Sequence, residues 1–160
     1  MKNLKIGDFN DLEVIQIMDF GIYLTEGSSK ILLPKHNVPA GVKIGDILSV
    51  FVYTNTEGRP VATTMKPKAV IEDFECLTVK TVTEFGAFLD WGIDKDLFVP
   101  FKEMEQPMKA GEKHVVRVCL DLQTNRVFAA ARLGKYFQDA AGKVEEGQKV
   151  NLQIYEIHPL

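Results

Sequence analysis

Two short segments carry the residue types best suited to binding chemistry. Phe20-Gly21-Ile22-Tyr23 returns 65 residues later as Phe85-Gly86-Ala87-Phe88, each preceded by an acidic residue and followed by leucine. Two aromatics three positions apart face opposite ways in a regular strand. A glycine between them admits a bulge or sharp bend that brings both rings to one surface. Paired rings on a strand face form a stacking surface for unpaired bases, worth roughly 1–3 kcal/mol per base. The same spacing also fits rings that fill the core, since phenylalanine is commonly buried. Cations that can line such a surface are Lys30, Lys35 and Arg59 in the first segment's neighbourhood and Lys80, Lys102, Arg117 and Arg126 in the second's. Arg59 and Arg126 fall at matching positions, just after a hairpin loop and at the start of the last strand.

Catalytic chemistry has no comparable footing. His36, His114 and His158 are scattered, and none stands at a metal-ligand spacing from cysteine or carboxylate. The glycines occur singly at turns, so no phosphate-cradling run is present. Glu145 and Glu146 are adjacent, and sequence neighbours point apart. The expectation is a protein without catalysis, cofactor or metal.

The elements that must position the aromatics also repeat. Leu12-x-Val14-x-x-Ile17 matches Leu77-x-Val79-x-x-Val82, and Leu152-x-Ile154-x-x-Ile157 matches both. Strand-like runs fall near 12–18, 20–25, 30–33, 46–54 and 59–64, and again near 76–82, 85–91, 97–99, 113–120 and 126–131. Five short strands in each copy predict an all-β chain of tandem five-stranded barrels of the OB type, which leave little unpaired edge. Leu48, Val50 and Val52 share one parity, as do Val116, Val118 and Leu120, so each of these strands turns one face inward. Positions 14 and 17 break strict alternation and predict a bulge that lets both face the core. The copies are expected over 1–66 and 67–134. A short helix over 132–141 is expected to begin a linker, with 135–160 ending in the first strand of a truncated third copy. Such an unpaired strand invites pairing, so the chain is expected to be a monomer or a weak dimer through it.

Composition narrows the partners. The formal net charge is −3, with seven basic and seven acidic residues in 1–66 and nine and eleven in 67–134. Binding to a polyphosphate must therefore rest on a local patch. No apolar run is long enough to span a bilayer, and Met1-Lys2-Asn3-Leu4 opens no signal peptide. With Cys76 and Cys119 expected as buried free thiols rather than a disulfide, the pattern predicts a cytoplasmic protein without a membrane partner.

Glu84-Phe85-Gly86-Ala87-Phe88-Leu89 and the later arginine resemble the S1-type RNA-binding domain, an OB-fold module. More specifically, Ile31-Leu32-Leu33-Pro34-Lys35, Gly86-Ala87-Phe88-Leu89-Asp90-Trp91-Gly92 and Lys95-Asp96-Leu97-Phe98-Val99-Pro100 resemble the bacterial S1-like family of conserved virulence factor B. That resemblance implies several S1-like barrels and a winged helix, single-stranded RNA as partner, and a role in regulating gene expression. It assigns base stacking to Phe20, Tyr23, Phe85 and Phe88, and a late arginine contact to Arg126 and Arg59. Such domains also use a histidine in the third strand, where this chain has Pro34 and Pro100. Trp91 is read as a packing residue between barrels, with Asp90 or Asp94 fixing its turn. The alternative reading is an OB module that docks a protein partner through its aromatic face or its uncharged first barrel.

Overall fold

The computed structural model describes residues 4–134. The fold is all-β, and the described residues form ten strands: β1 (Asp8–Met18), β2 (Gly21–Thr25), β3 (Ile31–Pro34), β4 (Ile47–Thr54), β5 (Pro60–Thr63), β6 (Phe74–Thr83), β7 (Gly86–Leu89), β8 (Leu97–Pro100), β9 (Lys113–Asp121) and β10 (Arg126–Ala130). Single turns of 3-10 helix follow the third strand of each set, at Lys35–Asn37 and Phe101–Glu103. Each is entered through a proline with φ near −60°, a value the pyrrolidine ring imposes.

The chain divides into two compact units. One holds the described residues up to Ile71 together with Trp91–Asp96 and Leu120–Val127; the other holds Glu72–Asp90, Leu97–Cys119 and the described residues from Phe128. In the first, β1-β2-β3-β5-β4 form a closed barrel, sealed by a parallel pairing of β3 with β5 at Leu32 and Val61. Leu12, Val14, Ile22, Leu24, Ile31, Leu33, Val50, Val52 and Ala62 fill it. The alternate residues of β2 and β3, Tyr23 and Leu32, face out and pair across the two strands.

The second set has the same order, β10-β9-β6-β7-β8, but as a five-stranded sheet rather than the closed barrel expected. Among the described residues, β8 and β10 form no ladder and stand at opposite edges of the sheet. The chain leaving β10 instead donates from Ala131 N and Arg132 N to Glu103 O, at 2.8 and 3.0 Å, in the 3-10 turn after β8. The linker and third-copy strand expected over 135–160, with most of the helix expected over 132–141, lie outside the described residues.

The bulges stand where broken alternation puts them, between Val14 and Gln16 and between Val79 and Thr81. Each restores parity, so Ile17 pairs with buried Ile22 and Val82 with buried Ala87. Neither Ile17 nor Val82 is buried, however, because both stand at the strand end, past the residues that fill the interior; Ile17 is 50% exposed. Strand β4 departs from alternation in the other direction. Phe51 and Tyr53 are buried along with Val50 and Val52, because Trp91 covers the outer face of β4. Cys119 is buried, but Cys76 is exposed, contrary to expectation, on the outward parity opposite Leu77; the two form no disulfide.

Gly21 and Gly86 open β2 and β7 with φ of 153° and 156°, in the region that favours glycine. A Cβ on Gly21 would meet the carbonyl oxygen of Leu33, and one on Gly86 that of Val99, both backbone atoms that cannot swing aside. Gly86→Ala is therefore expected to destabilise the chain by about 2 kcal/mol, read as a lower urea midpoint at unchanged slope, whereas Gly111→Ala, which meets no atom within 4 Å, is expected to cost less.

Candidate nucleic-acid interface

Each paired-ring motif begins on a hairpin turn. Asp19-Phe20 joins Met18 to Gly21 and Glu84-Phe85 joins Thr83 to Gly86, so Phe20 and Phe85 are turn residues and the bend is the hairpin itself. Phe85 N donates to Thr83 Oγ1 at 3.1 Å, fixing the second turn. The turn carbonyls are tied to the third strand's exit: Lys35 N donates to Phe20 O at 3.0 Å and Phe101 N to Phe85 O at 3.2 Å. Close approach at the glycine and this hydrogen bond present each turn aromatic beside the 3-10 turn.

The two units fill this common frame differently. In the first, Phe20 is 53% exposed and meets Tyr23 edge-on, with centroids 6.1 Å apart. Lys30 Nζ lies 4.4 Å from the Tyr23 centroid, a cation–π contact that covers one face of that ring. Lys35 is exposed in the adjoining 3-10 turn. In the second, Phe85 is 70% exposed, and Phe88 packs not on Phe85 but on Phe98, its partner across β7 and β8, at 5.0 Å. Phe101, which opens the 3-10 turn, is also exposed, as is Lys102 beside it. Lys80 is exposed within the β6 bulge, one residue before Thr81, which pairs with Phe88. Phe85, Phe88, Phe98 and Phe101 with Lys80 and Lys102 thus occupy one end of the β6-β7-β8 ladder.

The arginines go elsewhere. Arg117 pairs with Phe74 and lies over its ring at 6.0 Å, with Nη1 3.7 Å from Cys119 Sγ. Phe74 precedes Thr81 by seven residues of β6, on the order of 20 Å of strand, so Arg117 stands away from Phe88. Arg126 donates from Nη2 to Thr56 O at 3.0 Å, at the β4–β5 hairpin of the first unit, and Arg59 closes that same hairpin. Arg126 thus reaches the hairpin that Arg59 closes. Burial, then the Arg126 charge, lowers the Lys95 pKa from the ordinary lysine value.

Phe98 and Phe101 escape the motif reading. Alternation with Leu97 and Val99 already turns Phe98 outward, yet its partnership with Phe88 depends on register. Phe101 occupies the place that Lys35 takes in the first copy, with no aromatic there to signal it.

The first unit's 3-10 turn is fixed by a polar network. Asn37 donates from Nδ2 to Thr63 Oγ1 at 3.1 Å and to Asp94 Oδ2 at 2.9 Å, and His36 Nε2 lies 2.7 Å from the same oxygen. Trp91 is fully buried, donates Nε1–H to Ala69 O at 2.8 Å, and meets Phe51 edge-on at 5.3 Å. Burial alone pushes Asp94 upward, but the hydrogen bonds from His36 and Asn37, and then the His36 charge, outweigh it and hold the carboxyl below the ordinary aspartate value. Burial, then the Asp94 charge, raises Tyr53 to about 12.

Residues 6–65 match the S1 domain family. That stretch coincides with the strands of the closed barrel. YitL, an uncharacterized protein of Bacillus subtilis strain 168, is 29% identical over 98 residues, covering 61% of this chain and 33% of YitL. A crystal structure of a multidomain protein with nucleic acid binding domains from Streptococcus pneumoniae TIGR4 superposes with a TM-score of 0.69 at 21% identity, over 84% of this chain and 48% of that one. This likeness shows the fold. The chain spans about a third of YitL and about half of the streptococcal structure. Among the described residues no cluster of His, Cys, Asp or Glu is arranged to hold a metal, and no helix is long and apolar enough to cross a membrane.

Because the folded Asp94 pKa is depressed, its contribution is present above the unfolded value, near 3.9, and is lost as pH falls through the lower folded value. Thermal unfolding of the wild type is expected to weaken below about pH 4, and Asp94→Asn to be less stable at pH 7 with a shallower acid dependence. Tyr53 has the opposite sign: its stabilisation is present below about 10 and is lost towards about 12, so Tyr53→Phe is expected to flatten the alkaline limb.

Proposed function

We propose that this protein binds single-stranded RNA without catalysis, stacking unpaired bases on the aromatic end of its second sheet. One observation carries the reading. Phe85 stands 70% exposed on the hairpin turn that leads into the strand of Phe88, with Lys80 and Lys102 on the adjoining elements. A free phenyl face held out by fixed backbone is costly in water and suited to a base, while ammonium groups around it meet the phosphates. The S1 domain match over the first barrel supports nucleic acid as the ligand class. The streptococcal protein, described as carrying nucleic acid binding domains, supports the same class. Phe20 and Tyr23 with Lys30 and Lys35 form a second, more cationic contact, and Arg59 with Arg126 a basic edge. The thin charge favours low sequence preference and a modest salt slope. On this reading the protein acts in the cytoplasm on transcripts, in the regulation of gene expression that the resemblance to conserved virulence factor B implies.

A second reading rests on a separate observation. Ile44 and Ile47 are largely exposed on the first barrel, and Ile15 is exposed two residues along β1 from Glu13, the partner of Ile47, apolar side chains suited to a protein partner. Both readings fit an OB barrel, which hosts many functions.

Anisotropy of labelled single-stranded RNA across a salt series separates them. The full chain is expected to bind at low salt, and Phe85→Ala/Phe88→Ala to weaken binding by roughly tenfold or more. Absence of binding at low salt, or binding indifferent to the double substitution, contradicts the proposal; capture of a defined protein that Ile47→Asp abolishes would favour the second reading.

A further inference from the structure

The equivalent ends of the two units differ at one position in a way that bears on which bases are held. The residue after the third-strand proline is Lys35 in the first unit and Phe101 in the second, and each donates its backbone N–H to the turn aromatic's carbonyl. That hydrogen bond, 3.2 Å from Phe101 N to Phe85 O, holds the backbone of Phe101 against the Phe85 turn. The Phe101 side chain is 46% exposed. Phe88, the other ring of the motif, is already packed against Phe98. The two rings best placed to receive a base are therefore Phe85 and Phe101, not the pair that the sequence motif singles out. In the first unit a cation stands at the Phe101 position and Lys30 covers Tyr23, so that unit offers one open ring, Phe20.

We propose that Phe85 and Phe101 together hold one unpaired base, and that this site favours purines over pyrimidines. The inference rests on the RNA-binding reading above and adds a ligand preference and a residue to it. Two phenyl rings rooted side by side present a wider apolar surface than either alone, and the fused rings of a purine cover more of it than a pyrimidine does. Stacking strength, rather than hydrogen-bond readout, then sets the preference. No charged side chain is required at Phe101, so the preference is independent of salt, whereas phosphate contacts through Lys80 and Lys102 weaken as salt rises.

The test uses the full chain with labelled oligo(A) and oligo(U) of equal length. Wild type is expected to bind oligo(A) several-fold more tightly than oligo(U). Phe101→Leu, which keeps apolar bulk and removes the ring, is expected to weaken oligo(A) by roughly five- to tenfold and bring the ratio towards one. Its salt slope and thermal unfolding are expected to match wild type. Phe101→Trp is expected to keep the ratio, and it decides the matter should the leucine variant lose stability: a ratio lost with tryptophan in place overturns the proposal. An unchanged ratio in Phe101→Leu, with Phe85→Ala/Phe88→Ala still weakening both oligomers, overturns this inference and leaves RNA binding standing. Failure of wild type to bind either oligomer overturns both.

Discussion

The close approach of Gly86 to the carbonyl of Val99, and of Gly21 to that of Leu33, is the constraint on which the binding face depends. A side chain at either glycine would separate the second strand of its set from the third at the turn. The hydrogen bonds from Phe101 to Phe85 and from Lys35 to Phe20 require the same proximity. Backbone packing, and not ring packing, thus keeps a phenylalanine exposed at the hairpin. This explains how an apolar side chain remains in water without collapsing onto the core: its turn is held from beneath by atoms that cannot move.

A second constraint shapes the first unit. From Val50 to Thr54 strand β4 is buried on both faces, inward by the barrel core and outward by Trp91, whose indole N–H is satisfied by Ala69. The segment that brings Trp91 also brings Asp94, which holds His36 and Asn37 and so fixes the 3-10 turn that carries Lys35. Packing, electrostatics and the placement of a cation at the candidate site are linked through six residues of chain, Trp91–Asp96.

Much of this was legible in the sequence because it depends on local chemistry. The parity of Leu48, Val50 and Val52, the broken alternation at Val14 and Ile17, and the repeated Phe-Gly pairs lead to ten strands, two bulges and two hairpin tips. What was hidden depends on register or on distant chain. The face of β4 that carries Phe51 and Tyr53 alternates like a solvent face until Trp91 is placed on it. Cys76 sits in an apolar run, yet its parity sends it outward. The partnership of Phe88 with Phe98 follows from strand pairing, and the contact of Arg126 with the hairpin that Arg59 closes from where the last loop of the second copy falls. Arg117 reads as a lining cation because it belongs to the second copy, but β9 pairs it with Phe74.

The central claim is that nucleic acid is received where the β6–β7 hairpin meets the end of β8. Backbone amide chemical shifts, followed while a short single-stranded RNA is added to the full chain, test it most directly. The account predicts that the largest changes fall on residues 83–88 and 98–102, with smaller ones at 20–23 and 35. Changes concentrated around Arg117 or around Ile44 and Ile47, or no changes at the Phe85 turn at saturating RNA, would contradict it.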